Sequence, residues 1–362
     1  MGVGLSSFRF NEAFRSPAAN TEKHGQFSFP SNGSQRDIPI ELFLTRLCAP
    51  GTADYIAECR LIREHFCNQP AIEAVIRKLE TRNDFLSISR IGSKFLDGCD
   101  NDRLVGLFTA QSYYRLTEFE SALETINRFP DELASYVDFA SWHGFILEKL
   151  KRYEQAADAF QRALFLFSDL SNVHIVQFYH ISNALKAAGK YCEAIAPLQL
   201  FVSLDLANRT LPKVERDIAD LRRRGSCESD SAPGRSTIAL ARQNTLLIVD
   251  AWINGVGGKF ILDTGASSIH LTKEFARRAR ISVSNDRIVQ IVGVTGARRD
   301  YFVNLTSVSV GDFVARNISA TIASVEHSLG DGVDGLLGQT FLGRFRYSVD
   351  SDRLTLRPLN EP

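Results

Sequence analysis

The sequence carries no net charge, since 42 Lys and Arg balance 42 Asp and Glu. A nucleic-acid binder usually has a large basic excess, so that class is excluded in its generic form. No run of 18 consecutive apolar residues occurs, which leaves no candidate membrane-spanning helix. The segment from Met1 to Phe14 lacks the basic start and apolar stretch of a secretory signal. No two of the six cysteines form a C-x-x-C pair, so neither a zinc site nor a disulfide framework is expected. In a chain of this length they read as reduced, mostly buried thiols of a cytoplasmic protein. No phosphate-loop or dinucleotide motif appears, and no cofactor is expected. No metal is expected either. His174 and His180 are six residues apart and do not share a helix face, and Asp331 and Asp334 supply too few oxygen ligands for calcium.

What is present falls into segments. Residues 1–40 mix Ser, Asn, Gly and Pro with scattered Phe and show no sustained period. They read as a disordered tail. Residues 41–224 are poor in Gly and Pro within their apolar-periodic runs and read as helical. Three units recur there. Phe119, Tyr153 and Tyr191 each precede an alanine by three residues (Ala122, Ala156, Ala194). An apolar residue follows each alanine at four (Ile126, Phe160, Leu198), and a small one precedes each aromatic by nine (Ala110, Gly144, Ser182). The first two units are 34 residues apart, and the third is displaced by an insertion near 168–172. This resembles the tetratricopeptide repeat, in which small residues let paired helices approach. The resemblance implies a protein partner or substrate bound on the array. Residues 225–235 read as a flexible linker that makes the two halves separable.

Residues 236–362 change texture. Short Val/Ile/Leu/Phe runs alternate with turn residues, which indicates β structure. The spacing predicts strands over 246–253, 259–262, 305–310 and 318–323, two more flanking Gly293 to Gly296, a short helix over 272–281, and a closing hairpin of 347–350 with 353–357. The whole chain is therefore expected to be multidomain α + β: a helical repeat array followed by an all-β domain.

One apolar strand delivers Asp263 into the turn Thr264-Gly265-Ala266-Ser267, and about 70 residues later comes Asp334-Gly335-Leu336-Leu337-Gly338. Between them lies the glycine-bearing segment Gly293-Val294-Thr295-Gly296. Here the sequence resembles the retropepsin-like aspartic proteases, and their bacterial single-domain members in particular. The resemblance implies a peptidase in which one carboxylate of a pair activates water and the other protonates the scissile carbonyl. It makes Asp263, Thr264 and Gly265 the catalytic turn. It makes Ala266, Ser267, the flap residues Gly293, Val294, Thr295 and Gly296, and Leu337 with Gly338 the substrate-binding elements. Only one D-T-G occurs, so the second carboxylate must come from another copy, in a homodimer with the site on its two-fold axis. Ala266 replaces the serine of pepsin-like enzymes, which implies work nearer neutral pH. Retroviral members follow the glycine at 338 with Arg, where this chain has Gln339, so that dimer contact is missing. Arg353 to Leu356 remains available to pair with its own copy. His270, close to the active turn, is expected at the surface or behind the catalytic residues. The alternative reading is a non-catalytic scaffold, in which the repeats bind a partner and the β domain dimerises.

Overall fold

The structure is a computed structural model. It describes residues 44–45, 48–49, 58–167, 170–204, 211–227, 230, 234–283, 288–293, 296–325 and 329–358. The expected tail over 1–40 lies outside these. The helical part runs α1 (Cys59–Glu64), α2 (Gln69–Thr81), α3 (Phe85–Gly98), α4 (Arg103–Arg115), α5 (Phe119–Asn127), α6 (Pro130–Ser135), α7 (Val137–Lys149), α8 (Tyr153–Phe165), α9 (Ile175–Ala187), α10 (Ile195–Ser203) and α11 (Pro212–Gly225). Side-chain caps start several of them: Asn68, Asp84 and Asp102 each accept a backbone N–H of the first turn.

The repeating small residues are where helices meet. Ala110, Ala122, Ala156, Ala194 and Ser182 are all buried. A Cβ at Gly144 would collide with the Phe160 ring, so glycine there is what lets α7 approach α8. Between the first two units the chain breaks at Pro130, which starts the short α6. Proline has no N–H to donate and fits the first position of a new helix.

The cysteines overturn the expectation of reduced thiols. Cys48–Cys59, Cys67–Cys99 and Cys192–Cys227 are disulfides, with Cα separations of 5.2, 5.4 and 5.5 Å. Sequence separations of 11, 32 and 35 residues carry no local signal. The cysteines are brought together only when the helices stack. The cytoplasmic expectation rested on those thiols and loses that argument, because disulfides persist mainly in oxidising compartments. No described helix is long and apolar enough to cross a membrane.

The β part contains β1 (Ser236–Ala239), β2 (Ala241–Gln243), β3 (Leu246–Ile253), β4 (Val256–Leu262), β5 (Ile269–Leu271), α12 (Lys273–Arg278), β6 (Ile288–Gly293), β7 (Gly296–Val310), β8 (Phe313–Ala323), β9 (Gly335–Leu337), α13 (Gln339–Leu342), β10 (Arg346–Asp350) and β11 (Arg353–Arg357). The strands at 246–253 and the hairpin at the end fall where the alternation places them. Asn254 and Gly255 both take positive φ in the β3–β4 turn, as a two-residue hairpin requires. The strand expected after Gly296 and the one expected at 305–310 are one continuous β7, and β8 starts before the expected 318 because Arg316 and Asn317 break its apolar pattern.

Among the described residues the main sheet has the order β2-β3-β4-β9-β5-β8-β7-β6, and a further β3–β7 pairing folds it back on itself. A smaller sheet has the order β1-β11-β10. β11 lies between two strands of its own chain. Both its edges are taken, so the expected pairing of Arg353 to Leu356 with a second copy does not apply to this arrangement.

The two parts pack together. Phe302 of β7 is fully buried in the core formed by the helices, with its ring 5.5 Å from that of Phe165 on α8. Gln161 of α8 donates to Ser319 Oγ of β8 at 2.6 Å in a buried position. Arg299 of β7 pairs with Asp131 of α6 at 2.8 Å. The segment expected to be a flexible linker is held at several points. Cys227 is bonded to Cys192, and Asp230 takes both the Arg316 backbone N–H and the buried Arg344 guanidinium.

Candidate active site

β4 delivers Asp263, and its last residues explain how. Phe260 and Leu262 face the β core, and the strand pairs in parallel with β9: Phe260 with Gly335, Ile261 with Leu336, Leu262 with Leu337. The strand-to-turn junction is then clamped. Asp263 N–H donates to the Leu337 carbonyl at 3.2 Å, and Gln339 N–H donates to the Ala266 carbonyl at 2.9 Å. Gly338 sits where a Cβ would collide with the carbonyl oxygens of Ala266 and Ser268, and one at Gly335 would strike the His270 carbonyl. The glycines of D-G-L-L-G are therefore needed for close backbone approach.

The Asp263 carboxylate is partly exposed. Its Oδ1 accepts N–H groups from Gly265 at 3.0 Å and Ala266 at 3.1 Å. Charge-assisted bonds of this kind orient a carboxylate without removing it from water. Thr264 and Gly265 are exposed at the tip of the turn, and Ala266 and Ser267 are half-buried beside it. Leu337 is fully buried beneath the turn.

Of the expected flap, Gly293 and Gly296 are paired at the closed end of the β6–β7 hairpin. Val294 and Thr295 lie outside the described residues. His270 is not at the surface. It is 4% exposed, with Nδ1 3.0 Å from Thr321 Oγ1 and 3.6 Å from the buried Asp300 carboxylate. His174 caps α9 by accepting the Val176 N–H. His180 lies between Phe145 and Phe160, where burial lowers its pKa.

Three residues support the turn in ways the sequence does not announce, although Asp334 opens the D-G-L-L-G motif. Asp334 accepts the Lys259 N–H at 2.9 Å and pairs with Arg278 at 2.8 Å, so it ties β9 to β4 and α12. Thr340 Oγ1 accepts the Ile269 N–H. Gln339, noticed in the sequence only as a departure, reaches back to the catalytic turn. Its Nε2 is 2.7 Å from the Thr264 carbonyl and 2.8 Å from the Tyr347 hydroxyl.

An aspartate opening a D-T-G turn, clamped by a parallel glycine-rich strand in a folded-back sheet, gives the β part the architecture of a domain that resembles the retropepsin-like aspartic proteases. Comparison with known families agrees: residues 249–341 match the family model described as aspartyl protease. Among curated proteins, a Sinorhizobium protein described as "Uncharacterized protein in cobV 5'region" is 32% identical over 138 residues, which is 34% of this chain. The chain spans 58% of that relative's length. Among solved structures, a retropepsin-like aspartic protease from Rickettsia conorii is 26% identical, with a TM-score of 0.28. It is covered over 97% of its length by 36% of this chain. The retroviral protease-like domain of Ddi1 from Leishmania major is 20% identical, with a TM-score of 0.21. It is covered over 99% of its length by 32% of this chain.

Proposed function

We propose that the protein is an aspartic endopeptidase whose active site forms from two copies of Asp263 in a homodimer. The observation that carries this reading is the Asp263 carboxylate itself. One oxygen is held by two backbone N–H groups, the turn is exposed, and the chain supplies a single D-T-G. Two such carboxylates about 3 Å apart share one proton, so one acts as base toward water and the other as acid toward the peptide carbonyl. The pair, and not either residue, then sets the pH dependence. The hairpin of β6 and β7 is the element suited to close over an extended peptide and exclude water.

The helical array is the part suited to recruit a protein substrate or partner. A cavity of about 420 Å³ lies away from Asp263, between α5, α6, α7, α8 and β7, lined by Leu123, Asp131, Leu147, Arg152 and Arg299 among others. Its volume is in the range that holds ligands.

The test is cleavage of a diverse peptide library by the full chain and by Asp263→Asn. Cleavage that the variant loses, with activity that falls more than linearly on dilution, supports the homodimeric peptidase. A wild-type chain that binds peptides without cutting them leaves the scaffold reading in its place.

A further inference from the structure

We propose that Gln339 and Tyr347 are positioning residues that hold the catalytic turn. This deepens the peptidase reading and rests on it for its activity arm only. The argument starts from the planarity of the peptide bond. The Thr264 carbonyl and the Gly265 N–H are the two ends of one trans peptide unit, and they point in opposite directions. The N–H end donates to Asp263 Oδ1 at 3.0 Å. The carbonyl end accepts from Gln339 Nε2 at 2.7 Å. A grip on one end therefore fixes the direction of the other.

The orientation of the Gln339 amide is settled by its partners. A backbone carbonyl can only accept, so the nitrogen must face Thr264. That nitrogen carries two protons, and the second goes to the Tyr347 hydroxyl at 2.8 Å. Tyr347 lies on β10, in the smaller sheet. The Gln339 backbone N–H donates to the Ala266 carbonyl at 2.9 Å, one peptide unit beyond the Ala266 N–H that is the second donor to Asp263. One residue thus restrains the peptide unit that carries the first donor and the unit that follows the second, and β10 restrains that residue. The position where the sequence departs from the retroviral pattern has acquired an internal task.

The experiment uses the full chain with Gln339→Met, Gln339→Glu and Tyr347→Phe. The readouts are amide hydrogen exchange at Gly265 and Ala266, and kcat and KM on a cleaved peptide. Met at 339 keeps the length and removes both donors, so exchange at Gly265 should rise about tenfold, the loss of one or two net hydrogen bonds. kcat should fall by a similar factor with KM little changed. Glu at 339 can still donate when protonated, but ionised it turns a lone pair toward the Thr264 carbonyl. Its exchange and kcat should be near wild type at low pH and depart as pH rises, a dependence that a purely structural role would not produce. Tyr347→Phe, which removes only one acceptor and is the mildest change, should give an intermediate effect and decides the matter if the Met variant does not fold. Unchanged exchange at Gly265 and Ala266 in all three variants overturns the proposal. If the wild-type chain cleaves nothing, the exchange data still decide the positioning role, and only the peptidase reading fails.

Discussion

Asp263 is held by its own turn, and its replacement should separate chemistry from structure. Asn at this position keeps an oxygen to accept the Gly265 and Ala266 N–H groups. We expect Asp263→Asn to retain the melting temperature of the wild type to within a few degrees while losing at least about 10²-fold in cleavage rate. Peptide turnover with parallel thermal melts checks both halves of that statement. A second residue makes a prediction about acid. Burial, with the nearby Arg162 charge, pushes the His143 imidazole down to about 3, and its Nδ1 faces the Arg162 guanidinium at 3.2 Å. The folded state therefore prefers the neutral ring more strongly than the unfolded chain does. That stabilisation is complete above about pH 6.5 and is lost as pH falls toward 3. The melting temperature should decline over this window, and His143→Gln should flatten the decline. Equal slopes in variant and wild type would show that the acid sensitivity lies elsewhere. At this scale Asp263 was legible because D-T-G-A-S follows an apolar strand and D-G-L-L-G comes about 70 residues later. The tasks of Gln339 and Thr340 were not, and Asp334 showed only as the head of D-G-L-L-G, since their work is done across 71 to 75 positions of sequence.

At the scale of elements, β3 and the closing hairpin could be read from alternation and turn residues, and the helix pairs from the recurrence of small residues. The disulfides could not. Their formation depends on how helices stack, and a cysteine in a turn or at a helix end carries no mark of its partner. Cys192–Cys227 closes a loop of 35 residues and fixes the exit of α11. Replacing both cysteines by serine should destabilise the helical part by about 2–4 kcal/mol, and urea unfolding of the double variant against the oxidised wild type measures it. The same elements change where a second copy could dock. β11 is enclosed, but β10 is an edge strand of the smaller sheet, and Tyr347 links it to the catalytic turn.

For the whole molecule, the sequence suggests two separable halves, and the contacts between them argue otherwise. An apolar residue in a strand reads as core of its own sheet. Nothing in the sequence marks Phe302 as core of the helical part instead. Gln161–Ser319 and Arg344–Asp230 add buried polar contacts that have to be satisfied together. We expect residues 235–362 alone to be poorly stable, with Phe302 exposed, and to recover only when the helical piece is supplied. Phe302→Ala in the full chain should cost about 3–5 kcal/mol, as a large cavity in a packed core does. Limited proteolysis of the separated pieces and denaturant melts of the variant check these outcomes. A β fragment that is as stable as the intact chain would restore the modular view.

The burial of Phe302 among the helices also bears on the order in which the chain acquires its shape during synthesis. The helical segments leave the ribosome first and make mostly local contacts, which form quickly. β4 must wait for β9, about 75 residues downstream, before its parallel pairing exists. When β7 emerges, Phe165 and its neighbours already offer an apolar socket for Phe302. The first half of the polypeptide would then act as a template for the second, seating one strand of the sheet before the catalytic turn has its clamp.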